Sequence, residues 1–358
     1  MSRRGRFARM VIGLGVALAA GAALLFGSPA QSGEPQPLPL AATWPNAARG
    51  SVPSKLPDGS EYSPALFLDA KTSIGTAQSA DSTTLRLVVR DGDGKLLELR
   101  KVPAEHHAPF AALTSSGDTL FWVESVSGKQ QLWSADRRDP KTARMLTADV
   151  GAMQFYDSEH DLLVADGRVR WVSSGTGDET EFRSVALTGG AVTVTKQKGT
   201  WGLAAWPWAA DGQHSARGAT TLLNLQTNAT VRTPSADRTV TACSAVWCQI
   251  VSINQDGYSR IDLAHPDGSA RRKVIEGNVA TAITDVAVLD RFEVIAKTTT
   301  QSDLTGNQQL LVHDLSNRHL VLVSPDAGNI SYRAGVLWWS TGDQSSFVRN
   351  SLDLRTIP

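Results

Sequence analysis

No part of this chain beyond its first residues carries an excess of one charge. The 358 residues hold 35 Lys and Arg against 35 Asp and Glu, and only the extreme N-terminus is locally basic. A nucleic-acid partner needs a clustered positive surface, so none is expected. Cysteine is nearly absent: Cys243 and Cys248 are the only two, with no His or second Cys pair at ligand spacing, and no metal site is expected. Also missing are a Gly-x-Ser-x-Gly elbow, a His-Glu-x-x-His helix, a phosphate-cradling glycine loop and a haem motif, so no cofactor is expected either. Asp91-Gly92-Asp93-Gly94 begins like a calcium loop. Leu97, Leu99 and Val102 occupy the later ligand places, and the segment reads instead as a hairpin turn.

A long apolar run occurs once, at residues 11–26 behind Arg3, Arg4, Arg6 and Arg9. It is shorter than the ~20 residues of a comfortable membrane span, and Ser28-Pro29-Ala30 offers small residues for cleavage. Residues 1–30 therefore read as a signal peptide, or as a retained signal anchor, and either places the remainder outside the cytoplasm, secreted or held at the outer side of the membrane. Any membrane contact would come through this segment alone. Residues 31–46, rich in Pro and Ser, read as a tether, and 47–358 as one domain.

What fills that domain is a unit of about forty residues that keeps returning. Its clearest copy is 109–147: an inner strand, a Ser-Gly-Asp turn, an aromatic strand at 119–124, a loop at Gly128, a third strand at 130–135 and an outer strand at 143–147. Four short antiparallel strands per period make a β-propeller blade, so the fold class is all-β. Six blades begin near Tyr62, Pro109, Gly151, Gly199, Thr239 and Ile283. The C-terminal stretch holds three further strands, and 49–56 is placed to supply the missing fourth. Seven blades closed by both ends of the chain are expected, with six as the alternative.

Ser115-Ser116-Gly117-Asp118 before Leu120-Phe121-Trp122, then Leu132-Trp133-Ser134-Ala135-Asp136 and Leu146-Thr147, resembles the repeat of TolB-like, WD40-like β-propellers; Leu311-Val312-His313-Asp314-Leu315 repeats the third-strand element. The N-terminal α/β domain of the TolB translocation protein has no counterpart here. The resemblance implies a propeller fold and an extracytoplasmic role in binding or assembly.

Cys243 and Cys248 flank a four-residue hairpin and, in an exported chain, are expected to form a disulfide. Trp122, Trp133, Trp171, Trp247, Trp338 and Trp339 lie on strands and read as packing between blades, whereas Trp201, Trp206 and Trp208 surround Pro207 and suggest an aromatic platform. The outer-to-inner connections of a propeller gather at one end of its channel. They carry Asp58, Glu61, His106, His107, Asp149, Trp201, Asp237, Arg238, Asn278, Asp326 and Asn329, a mildly negative set and the candidate ligand-binding residues. Adjacent His106 and His107 would point to opposite sides. Two functions follow from different classes: a non-catalytic propeller binding a protein, peptide or cell-envelope ligand, or a propeller enzyme (lyase, lactonase or glycoside hydrolase) with its site at the channel.

Overall fold

The computed structural model describes residues 36–104, 110–126, 128–212, 218–234, 236–255, 257–342 and 347–358. The signal segment, His106 and His107 lie outside them. Two strands precede the first blade, β1 (Leu38–Pro39) and β2 (Arg49–Pro53). Blade one is β3 (Tyr62–Phe67), β4 (Ser73–Gln78), β5 (Thr84–Arg90) and β6 (Leu96–Pro103). Blade two is β7 (Phe110–Ser116), β8 (Thr119–Val126), β9 (Lys129–Asp136) and β10 (Asp139–Thr147). Blade three holds β11 (Ala152–Met153), β12 (Leu162–Ala165), β13 (Arg168–Ser174), β14 (Glu179–Ala186) and β15 (Thr193–Lys198).

Blade four follows with β16 (Trp201–Ala205), β17 (Trp208–Asp211), β18 (Thr221–Asn224) and β19 (Thr230–Arg232). Blade five has β20 (Thr239–Cys243), β21 (Cys248–Ile253), β22 (Ser259–Ala264) and β23 (Arg272–Gly277). Blade six begins with β24 (Val279–Thr281), β25 (Phe292–Lys297) and β26 (Gln308–Asp314). Its outer strand is the first half of β27 (His319–Arg333), whose second half opens blade seven, completed by β28 (Val336–Thr341) and β29 (Val348–Asp353). The sixth inner strand thus starts at Val279, ahead of the expected Ile283.

Closure runs through β2, which pairs antiparallel with β29 from Arg49 opposite Leu352 to Pro53 opposite Val348. The ring of seven blades is therefore sealed by both ends of the chain. The tether expected over 31–46 ends earlier: Leu38 and Pro39 pair in parallel with Val321 and Leu322 on the outer edge of blade six, and buried Trp44 meets Phe292 edge-on at 5.8 Å. An aromatic ring with an apolar neighbour is removed from water there, which a Pro-rich composition does not announce.

Each blade is packed on both faces, and the core is accordingly divided into seven hydrophobic clusters, each lying between two successive blades. Alternation along a strand sends neighbouring side chains to opposite faces. On β28, Trp338 joins Phe67 of blade one while Trp339 joins the blade-six cluster; on β8, Phe121 faces blade three and Trp122 blade one. Continuous apolar runs such as Val336-Leu337-Trp338-Trp339 are the consequence.

Cys243 and Cys248 sit directly opposite one another across the β20–β21 hairpin and are disulfide-bonded, buried between blades four and five. The loop they close is short, so reduction is expected to cost at most ~3 kcal/mol of unfolding free energy. Urea unfolding of the oxidised and reduced protein measures it. Two free thiols in protein recovered from the exported fraction would contradict the bond.

Candidate functional site

In six blades the inner strand runs uninterrupted before the chain turns outward or, in blade six, gives way to the irregular residues 282–291. In blade three it is broken. β11 pairs with Ser173 and Ser174 of β13, and β12 with Arg168 to Trp171 of the same strand. Residues 154–161, Gln-Phe-Tyr-Asp-Ser-Glu-His-Asp, leave the ladder between them. Their polar side chains have no place between blades, and Asp157 adopts φ of 60°, a left-handed conformation that turns the excursion.

The excursion reaches the opposite side of the ring. Ser158 Oγ donates to Asp285 Oδ1 at 2.5 Å and the Glu159 N–H donates to Asp285 Oδ2 at 3.0 Å; Thr284 Oγ1 donates to the Asp157 carbonyl at 2.7 Å. Those partners follow β24 in blade six. Glu159 Oε2 accepts the Ala334 N–H at 3.0 Å, in the first turn of blade seven. Asp161 ties the segment to itself, its carboxylate accepting the Tyr156 N–H at 2.9 Å and the Ser158 N–H at 3.2 Å.

Burial pushes the Asp161 carboxyl up to about 6, against the pull of those N–H groups and of Arg333. Burial also raises Glu159, with His160 drawing it back and Asp285 adding to the rise. The crossing segment thus gathers three acids where water is scarce, and main-chain donors hold each of them.

Beside this segment lies a cavity of 710 Å³. Phe110, Val240, Ile283 and Ile330 from four inner-strand regions supply apolar wall, Gln249, Thr281, Ser331 and Arg333 supply polar groups, and Phe155, Asp157 and Asp161 of the crossing segment form one side. Arg333 Nη1 donates to the Leu113 carbonyl at 3.3 Å. The volume falls in the range of small-ligand pockets. Among the described residues, no group of three or more His, Cys, Asp or Glu is placed to hold a metal ion, and no helix is long and apolar enough to cross a membrane.

None of the described candidate residues on the blade connections lines this cavity. Asp58 accepts from Ser60 and from Arg86 at 2.7 Å, bonds that hold its carboxyl down at about 2; Asp149 pairs with Arg183 at 2.8 Å. Glu61, the Asp237–Arg238 pair and Asn278 are exposed on three separate connections, where the Asn278 carbonyl accepts the Thr298 N–H. Asp326 and Asn329 do not lie on a loop, because β27 runs straight from blade six into blade seven. Trp201 is likewise no platform: it is buried with Val172, Phe182 and Leu223, and its Nε1 donates to the Lys198 carbonyl at 2.7 Å. Trp206 stacks under Arg170 at 3.4 Å and donates to Asp166 at 2.6 Å. Sequence reasoning missed 154–161; a polar stretch inside an expected inner strand was the signal.

No family model and no curated protein matches the sequence. Solved structures do match the fold. An oligogalacturonate lyase in complex with manganese aligns at a TM-score of 0.52 and 10% identity over 87% of this chain and 98% of its own. A puromycin-hydrolyzing peptidase of Mycobacterium tuberculosis aligns at 0.50 and 12% identity over 88% of this chain, which spans 54% of that protein. The fold is a seven-bladed β-propeller. A third match is the β-propeller domain of the Trilobed protease from Pyrococcus furiosus, at 0.48 and 8% identity over 79% and 89% of the two chains. These matches include a lyase and a peptidase, and likeness at these identities is one of fold.

Proposed function

We propose that this chain is an exported, non-catalytic propeller whose central cavity receives a short segment of a protein or peptide partner from the cell envelope. The observation that carries this reading is the bonding of Asp161, Asp285 and Glu159. Acid–base catalysis needs a carboxyl group free to exchange its proton with a ligand. Of the two carboxylates on the cavity wall, Asp161 accepts main-chain N–H groups and Asp157 is exposed; Asp285 and Glu159 likewise accept main-chain N–H groups and brace the crossing segment. The cavity itself joins apolar walls to a few polar groups, a composition suited to a peptide segment with one or two apolar side chains. The disulfide supports residence in an oxidising compartment.

Ala242 lines the cavity on β20, and Ala242→Trp is expected to fill it. Affinity capture from the envelope fraction, with wild type and variant compared at equal loading, should recover the partner at least tenfold less with the variant, while circular dichroism and melting stay unchanged. Equal recovery would move the site to the blade connections. The double variant Asp149→Asn with Asp237→Asn would then be the next to lose it.

A further inference from the structure

A second concavity, of 390 Å³, opens where the ring is sealed, between β2 of blade seven and the β3–β4 and β5–β6 turns of blade one. Arg49, Lys71 and Arg90 line it, together with Gly50, Ser51 and Gly92. The three cations come from three separate segments, and among the described residues none of them enters an ion pair. Six arginines elsewhere in the molecule differ in this: Arg86, Arg100, Arg183, Arg271, Arg291 and Arg355 each lie within 3 Å of a carboxylate oxygen.

The carboxylates close in sequence, Asp69 and Asp91, bind the main chain of their own turns. Asp69 Oδ1 accepts the N–H groups of Lys71 and Thr72 at 2.7 and 2.8 Å, and Asp91 Oδ1 accepts those of Asp93 and Lys95 at 3.0 and 2.8 Å. These bonds fix the two turns that shape the groove. The two guanidinium groups are positioned by carbonyls and not by acids: Arg49 Nη2 donates to the Pro45 carbonyl at 3.1 Å, and Arg90 Nη1 to that of Asp91 at 3.5 Å. Each therefore keeps further N–H donors for a ligand. Three like charges held around one concavity repel one another and concentrate a positive potential in it.

We propose that this groove is an anion site that takes a phosphate group, bridged by Lys71 and the planar donors of Arg49 and Arg90. The same chemistry is offered by a soluble phosphomonoester and by the headgroup of an anionic phospholipid. The site is independent of the central cavity and owes its form to ring closure, since β2 supplies one wall.

The test uses the full chain as purified from the exported fraction. Inorganic phosphate and glycerol phosphate are titrated calorimetrically into wild type, into Lys71→Gln with Arg90→Gln, and into Lys129→Gln, an exposed cation on blade two. Phosphate is expected to bind wild type and the Lys129→Gln protein alike, more weakly as salt rises, and at least tenfold more weakly to the groove variant. Lys71→Gln alone, an exposed side chain, serves if the double variant does not fold, and should weaken binding at least threefold. Cosedimentation with phosphatidylglycerol–phosphatidylcholine vesicles then separates the sources. Loss of vesicle binding in the groove variant assigns a lipid headgroup, and equal vesicle binding assigns a soluble phosphate. No heat of phosphate binding, or equal affinity across the three proteins, overturns the proposal.

Discussion

A chain shortened through Leu56 is expected to lose at least ~5 kcal/mol of stability, whereas one shortened through Gln36 melts like the parent. The removed segment contributes Trp44 and Ala47 to the cluster between blades six and seven, and Val52 and Leu56 to the one between blades seven and one. Burial of a large apolar side chain is worth about 1.5–3 kcal/mol, so three such groups approach the roughly 5–15 kcal/mol by which a domain is stable at all. The loss is compounded at β29, which would become an open edge with five unpaired positions where β2 now lies. Gly50 shows how close the closure is: a Cβ there would fall 1.9 Å from the Ala70 carbonyl of blade one. Thermal unfolding of the two truncations settles the matter, and equal melting temperatures would mean that the ring holds without its seal. Removal through Pro39 takes away only exposed β1 and should have little effect.

The repeat was legible because a blade must make its four strands from local sequence, and its turns need Gly, Asp and Asn at set places. Blade two shows every element in order, and even the seal at 49–56 could be inferred from a C-terminal count one strand short. Side chains facing the channel obey no such local rule. Ser158 and Asp285 are 127 residues apart and meet only because blades three and six stand across the ring. The groove is similar, since Arg49, Lys71 and Arg90 leave no charge run in the sequence and become a set only when β2 docks. The connection residues were the opposite case. Their place at one end of the ring was readable, but Asp58 and Asp149 have local cation partners, and Trp201 turns inward because the strand begins with it.

From pH 5 to pH 8, wild type is expected to lose roughly 2–3 kcal/mol of stability relative to a Glu293→Gln variant. Glu293 lies on β25 with 1% of its surface exposed; its Oε2 accepts the Ala287 N–H at 3.0 Å and its Oε1 the side-chain amide of Gln249. Neither partner is a cation, so burial dominates and pushes the carboxyl up to about 7 from an ordinary 4.5. A folded-state pKa above the unfolded one means that the folded protein holds the proton more tightly. That contribution is complete below the unfolded value and disappears as pH rises through about 7. Asp161, raised to about 6, acts in the same direction at lower pH. Buried His313, pushed down to about 4 chiefly by burial, acts oppositely: its neutral ring favours the fold above 6.5, and that gain is lost as pH falls. Wild type alone will therefore show a shallow optimum, and only the difference from the variant isolates Glu293. The amide cannot accept both donors, so the variant starts about 1–3 kcal/mol lower, but by an amount independent of pH. Urea unfolding of both proteins at half-unit steps gives the difference. A flat result would mean that water reaches the interface of blades five and six. A sloped one ties the protonation of Glu293 to Gln249, a side chain that also lines the central cavity, and so makes the cavity wall sensitive to pH in the neutral range.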